Sequence, residues 1–169
     1  ADRLRNADPA SARERVIAEL RAGACDYTVV RSTNYFSDMA GVWKLVQRGC
    51  GVVLGPETLK ANPVHGADLA TEMVRLATSP EGRNQVVARG GPEPFSVREI
   101  MTLALRHAGH PPRLLRLPTP LLAAARVVTA PFNPTVAGYL SAITQYLALP
   151  DLLAPAIGTR TLDAFFAAL

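Results

Sequence analysis

The chain has 169 residues, is 49% hydrophobic and 19% charged, and carries a formal net charge of +4. No apolar stretch reaches the ~20 residues that span a bilayer, which excludes a membrane-spanning helix, and no membrane partner is expected. The basic residues scatter from Arg3 to Arg160 rather than forming a stripe interleaved with aromatics, which argues against a nucleic-acid partner.

Pro9 to Ala22 is the first predicted helix, with Asp8 as its N-cap, Pro9 at the first helical position, Val16, Ile17 and Leu20 on one face and Gly23 past its end. The run Tyr27-Thr28-Val29-Val30 follows without strict alternation, and predicts a strand covered on both faces in a parallel sheet. Beyond its carboxyl end lies the polar cluster Arg31 to Asp38, where open α/β sheets bind ligands. Asp38 to Val46 is predicted to form a short helix carrying Met39, Val42, Trp43 and Val46, with Trp43 in the core or in a pocket wall. A short strand, Val52 to Leu54, comes next.

Pro63 forces Asn62 out of helical geometry, so Ala61 to His65 is extended before a helix carrying Leu69, Met73, Val74 and Leu76. Asn84 to Ala88 is a further strand. Ser96 and Glu99 form a capping box that opens a helix through His107. Arg113 to Leu117 is strand-like, Pro118 to Leu149 is helical in two pieces around Ala130-Pro131-Phe132-Asn133-Pro134, and Thr161 to Leu169 is a last helix. Alternating helices and short strands define an α/β architecture.

Cys25 and Cys50 have neither metal-ligand nor disulfide-framework spacing, and are expected to be reduced, small buried hydrophobes in a cytoplasmic protein. No metal site is expected. No strand is followed by a Gly-rich phosphate-binding turn. The amino terminus, Ala-Asp-Arg-Leu-Arg, has no initiator Met and no signal-like apolar region, as expected of a piece from inside a longer chain.

Several segments, in order, resemble the second half of the atypical and extended short-chain dehydrogenases, specifically the NmrA-like NAD(P)-binding proteins. They are Arg13 to Leu20, Gly23-Ala24-Cys25-Asp26-Tyr27-Thr28-Val29, Arg31 to Met39, Asn62 to Ala70, Gly90-Gly91-Pro92-Glu93 and Ser96 to Ile100. Gly158 to Phe166 also resembles the family's carboxyl end. The resemblance implies the carboxyl-terminal part of a Rossmann-like parallel sheet with a small helical substrate-side lobe. Residues 1–37 would be the last Rossmann helix and strand, and 38–169 the lobe and C-terminal helices. The Gly-rich half would lie upstream as a missing partner of the same protein, holding most of the NAD or NADP.

It further implies an NAD(P)H-dependent oxidoreductase acting on a small or medium organic carbonyl, enone or sugar-like substrate. The alternative is a dinucleotide-binding redox-sensing or assembly protein without turnover. Arg13 stands where the family carries the Lys of its Tyr-x-x-x-Lys pair, and an Arg can hold a ribose hydroxyl but is never deprotonated. Arg31-Ser32 replaces the family's Arg-Pro.

The candidate cofactor ligands are Arg13, Ser32, Thr33 and Asn34; the bland reading of the last three is a polar turn after the strand. Arg31 is expected to pair with Asp38 or Asp68. Tyr35 and Phe36 are candidates for the substrate wall, with core packing the competing role for Phe36. Tyr35 is also a candidate proton donor. Asn62 is a candidate substrate ligand and His65 a candidate proton-transfer group at a helix mouth. Fastening the lobe to the sheet, with Asp68 capping the helix, is the competing role of that segment. His107 and His110 are expected to be exposed and chemically idle.

Overall fold

The computed structural model describes residues 9–56, 58–147 and 152–169. Asp8, the predicted cap of the first helix, and the predicted helical end at residues 148 and 149 lie outside the described residues. Helix α1 (Pro9–Ala22) leads into strand β1 (Thr28–Ser32), a single 3-10 turn (Phe36–Asp38) and α2 (Met39–Val46). Strands β2 (Gly51–Leu54) and β3 (Lys60–Ala61) precede α3 (Gly66–Ala77). Then come β4 (Gln85–Arg89), β5 (Phe95–Ser96), α4 (Val97–His107) and β6 (Leu114–Leu117). Helices α5 (Thr119–Thr129), α6 (Pro134–Leu147) and α7 (Leu162–Ala167) complete the order.

Three strand pairs organise the chain. β1 runs parallel to β4 with Thr28 opposite Gln85 and Ser32 opposite Arg89. β2 runs parallel to β6 with Gly51 opposite Leu114, and β3 pairs antiparallel with β5. Parallel pairs need long crossovers, which the intervening helices provide. The β3–β5 pair is too short to show in a periodicity pattern.

The main core lies between α2, α4 and α7. Phe36, Met39, Val46, Met101, Leu105, Leu162 and Phe166 are buried together there, and Trp43 stacks on Phe166 at 5.9 Å between ring centroids. α4 begins as read from the sequence: Ser96 Oγ accepts from the Glu99 N–H at 3.2 Å, and the Glu99 carboxylate accepts from the Ser96 N–H at 2.7 Å. The Ser96 N–H and hydroxyl hold the Glu99 carboxyl below its usual range. A second cluster joins Leu59, Leu122 and Leu147.

Several expectations are corrected. No residue of β1 is fully buried: Thr28, Val29, Val30 and Ser32 are partly buried and Arg31 is exposed, so the strand is not covered on both faces among the described residues. Met73 and Val74 face solvent, and of the large apolar residues on their helix only Leu69 and Leu76 are buried. Cys25 is exposed in the bend before β1 and Cys50 is half-buried after α2, so neither is a buried hydrophobe. His107 is not idle: its Nε2 is 3.0 Å from Asp163 Oδ1 and its ring lies against Phe166, fastening α7 to α4. His110 Nε2 sits 3.3 Å from the Gln47 carbonyl.

Candidate functional site

A cleft of about 790 Å³ opens where α1 faces the carboxyl end of β1. Arg13, Glu14, Val16 and Ile17 form its helical wall, Val29 to Asn34 its strand wall, and Tyr35 and Asp38 its far rim. Its floor is apolar because Ile17 and the β1 valines meet there, and its rim is polar because the strand ends at Ser32. The combination of an apolar body with a few placed polar groups is that of a small-molecule site.

The rim is fixed from behind. The Thr33 N–H donates to the Arg89 carbonyl at 3.2 Å, and the Thr33 hydroxyl donates to the Asn62 carbonyl at 2.6 Å. The Val64 N–H donates to the Asn34 carbonyl at 2.8 Å, and the Phe36 N–H donates to the Val64 carbonyl at 3.1 Å. The Asp38 carboxylate accepts from the Tyr35 N–H at 3.1 Å, closing the turn that carries the Tyr35 side chain. Tyr35 itself is 40% exposed at the cleft rim.

Arg31 crosses the cleft to Glu14, with Nη2 at 2.7 and 2.9 Å from the two carboxylate oxygens. The predicted partners, Asp38 and Asp68, are both engaged elsewhere: Asp38 by the Tyr35 N–H and Asp68 by Arg160. Glu14 is the residue that reading the sequence missed, since it lies 17 positions away with no local signal.

The cleft thus gathers Arg13, Ser32, Thr33, Asn34 and Tyr35, and leaves out Phe36, Asn62 and His65. Phe36 is 2% exposed in the core, 5.4 Å from the Phe165 ring. Asn62 is buried, its amide donating to the Gly91 and Ala154 carbonyls at 3.0 and 2.8 Å and accepting from the Ala154 N–H at 3.0 Å. Both of its N–H bonds are therefore spent on scaffold. His65 Nδ1 accepts from the Ala67 N–H at 3.1 Å, and its ring meets Phe36 edge-on at 5.6 Å. His65, not Asp68, is the cap of α3.

The Gly90-Gly91 pair has a steric reason. A Cβ on Gly91 would stand 1.7 Å from the Pro63 carbonyl oxygen, so only glycine allows this approach behind the rim.

No protein-family model and no curated protein matches the sequence. Solved structures do match the fold. An isoflavone reductase superposes with a TM-score of 0.67 at 20% identity over 94% of this chain and 56% of its own. A nucleoside-diphosphate-sugar epimerase from Staphylococcus aureus gives 0.58 at 16% identity, with the same coverage. A GDP-6-OMe-4-keto-L-xylo-heptose reductase from C. jejuni gives 0.52 at 9%, covering 94% of this chain and 58% of its own. The chain spans little more than half the length of the structures it matches. Its α/β fold with parallel strands is that of the carboxyl-terminal part of a Rossmann-like reductase.

Proposed function

We propose that the chain is the carboxyl-terminal half of an NAD(P)H-dependent oxidoreductase of the atypical short-chain dehydrogenase kind, acting on a small or medium organic carbonyl, enone or sugar-like substrate. The observation that carries the reading is the polar-rimmed cleft beyond the carboxyl end of the parallel strand β1, on a fold shared with two reductases and an epimerase.

The residues fit one end of a dinucleotide. The Ser32 and Tyr35 hydroxyls and the Arg13 guanidinium stand around an apolar floor large enough for a nicotinamide ring and a small substrate. No turn of the GxGxxG or GxxGxxG phosphate-binding type follows a strand in this sequence, so the pyrophosphate would be held by upstream residues. When bound, the cofactor supplies the hydride.

This chain's residues then orient and donate. Ser32, Thr33 and Asn34 offer hydrogen bonds to an amide or ribose edge, and Arg13 offers its fork to a ribose hydroxyl. The Glu14–Arg31 pair neutralises both charges at the mouth, which suits an uncharged carbonyl substrate. Tyr35 offers its O–H to the substrate oxygen as negative charge develops there.

The alternative, dinucleotide binding without turnover, rests on Arg13 standing where the family carries its Lys. The test is fluorescence titration of the full-length protein with NADPH and NADH, followed by a screen of carbonyl substrates. Saturable binding with turnover that Tyr35→Phe lowers by about 10²-fold, at unchanged cofactor affinity, supports the enzyme. Binding without turnover favours the alternative, and no binding of either nucleotide overturns both.

A further inference from the structure

Helix α5 is apolar on both sides. Leu122 packs into the second core, while Leu121, Ala123, Ala124, Val127 and Val128 all face solvent. Val127 and Val128 are each 66% exposed, and Phe132, at the tip between α5 and α6, is 86% exposed. A helix apolar all round needs a cover on its outward side.

The charge pattern says what kind of cover. Between Glu99 and Asp151 there is no acidic residue, whereas Arg106, Arg113, Arg116 and Arg126 fall there. These arginines account for the whole formal charge of +4, since the remaining basic and acidic residues balance. Arg126 lies beside Val127 in the groove between α5 and α6.

A second copy packed hairpin on hairpin fits poorly, because the described hairpin residues supply no carboxylate to answer Arg126. An anionic lipid surface answers both features, taking the apolar arc and Phe132 at the headgroup boundary and Arg126 against its phosphates, with no carboxylate between residues 100 and 150 to oppose it. No described helix is long and apolar enough to cross a membrane. The expectation of no membrane partner followed from the lack of such a span, and a surface-seated hairpin requires none.

We propose that the α5–α6 hairpin docks the protein on an anionic membrane surface, with Phe132 as the inserted tip. The test is flotation of the full-length protein with phosphatidylglycerol–phosphatidylcholine vesicles and with pure phosphatidylcholine vesicles. Binding to the first and not the second, weakened by salt, is the expected result. Phe132→Asp should lower partition by about tenfold. Arg126→Gln should lower it by about fivefold.

Phe132→Trp gives an independent reading against the parent protein, whose Trp43 is packed on Phe166. The added emission should shift to the blue only on anionic vesicles. Failure to float with anionic vesicles overturns the proposal. So does added emission already blue-shifted without lipid, or self-association that Phe132→Asp abolishes, since each shows that protein covers the hairpin.

Discussion

Asp68 on the first turn of α3 holds Arg160, 92 positions further along the chain. Its Oδ2 also accepts the Thr159 and Arg160 backbone N–H groups, at 3.2 and 3.1 Å. Burial pushes the Asp68 carboxyl up, but the Arg160 N–H and guanidinium and the Thr159 N–H outweigh it, and the carboxyl titrates below its usual value. Gly158 turns the chain into this contact with φ +71°, and a Cβ there would stand 2.1 Å from Asp68 Oδ2. The clasp therefore delivers α7, with Phe166, to the main core.

Asp68→Ala is expected to cost about 2 kcal/mol, since it orphans two backbone donors while the half-exposed guanidinium retains water. Gly158→Ala should cost about as much through its backbone strain and the clash. Denaturant midpoints check both, and His107→Ala should act in the same direction by loosening α7 from the other side.

Asn62 ties the segment behind the cleft to two distant stretches, at Gly91 and Ala154. Asn62→Ala leaves two carbonyls and an N–H without their partner and should cost about 3 kcal/mol. In the folded protein the cofactor affinity and substrate KM should stay near their original values. A raised KM at unchanged stability would put Asn62 in contact with substrate instead.

Glu72 is the most strongly depressed carboxyl among the described residues and makes the largest contribution to the acid dependence. The Arg75 guanidinium, 2.8 Å away, and Arg89 at 2.7 Å outweigh burial and hold its carboxyl at about 2, below the ordinary 4.5. A depressed carboxyl contributes stability fully above the unfolded value and loses it as pH falls through the folded one. The loss should therefore run from about 4.5 down to about 2. Glu72→Gln should remove about 1 to 2 kcal/mol at neutral pH, discounted because Arg75 is half exposed, and flatten that acid limb. Thermal melts across pH for both proteins measure the difference.

What the sequence made legible were the features with local causes. The Ser96–Glu99 box, the break at Ala130 to Pro134 and the alternation of strands with helices each follow from neighbouring residues. The polar run after β1 was legible as the end of a strand. The partners of its charges were not, because the Arg31–Glu14 and Asp68–Arg160 pairs join residues that only the fold brings together. An exposed imidazole and a helix-capping imidazole share one sequence pattern, so the sequence alone leaves His65 a candidate for proton transfer. The structure puts its Nδ1 on the Ala67 N–H.

The free edge of β1 gives a residue-level test of whether the sheet continues. The Thr33 N–H donates to the Arg89 carbonyl, and the Tyr27 carbonyl accepts from the Asn84 N–H, so odd-numbered residues direct their backbone groups at β4. By the two-residue alternation of a strand, Thr28, Val30 and Ser32 direct theirs at the open edge. In the 169-residue chain alone, the amides of Val29 and Arg31 should resist hydrogen exchange while those of Thr28, Val30 and Ser32 exchange quickly. The same chain should self-associate as its concentration rises, because an apolar edge with unmet donors pairs with another copy. In the full-length protein the even-numbered amides should become protected as the odd ones are, since a Rossmann sheet continues past this strand. Protection restricted to Val29 and Arg31 in both proteins would mean that β1 is a true edge, and the oxidoreductase reading would lose the sheet on which its cofactor site depends.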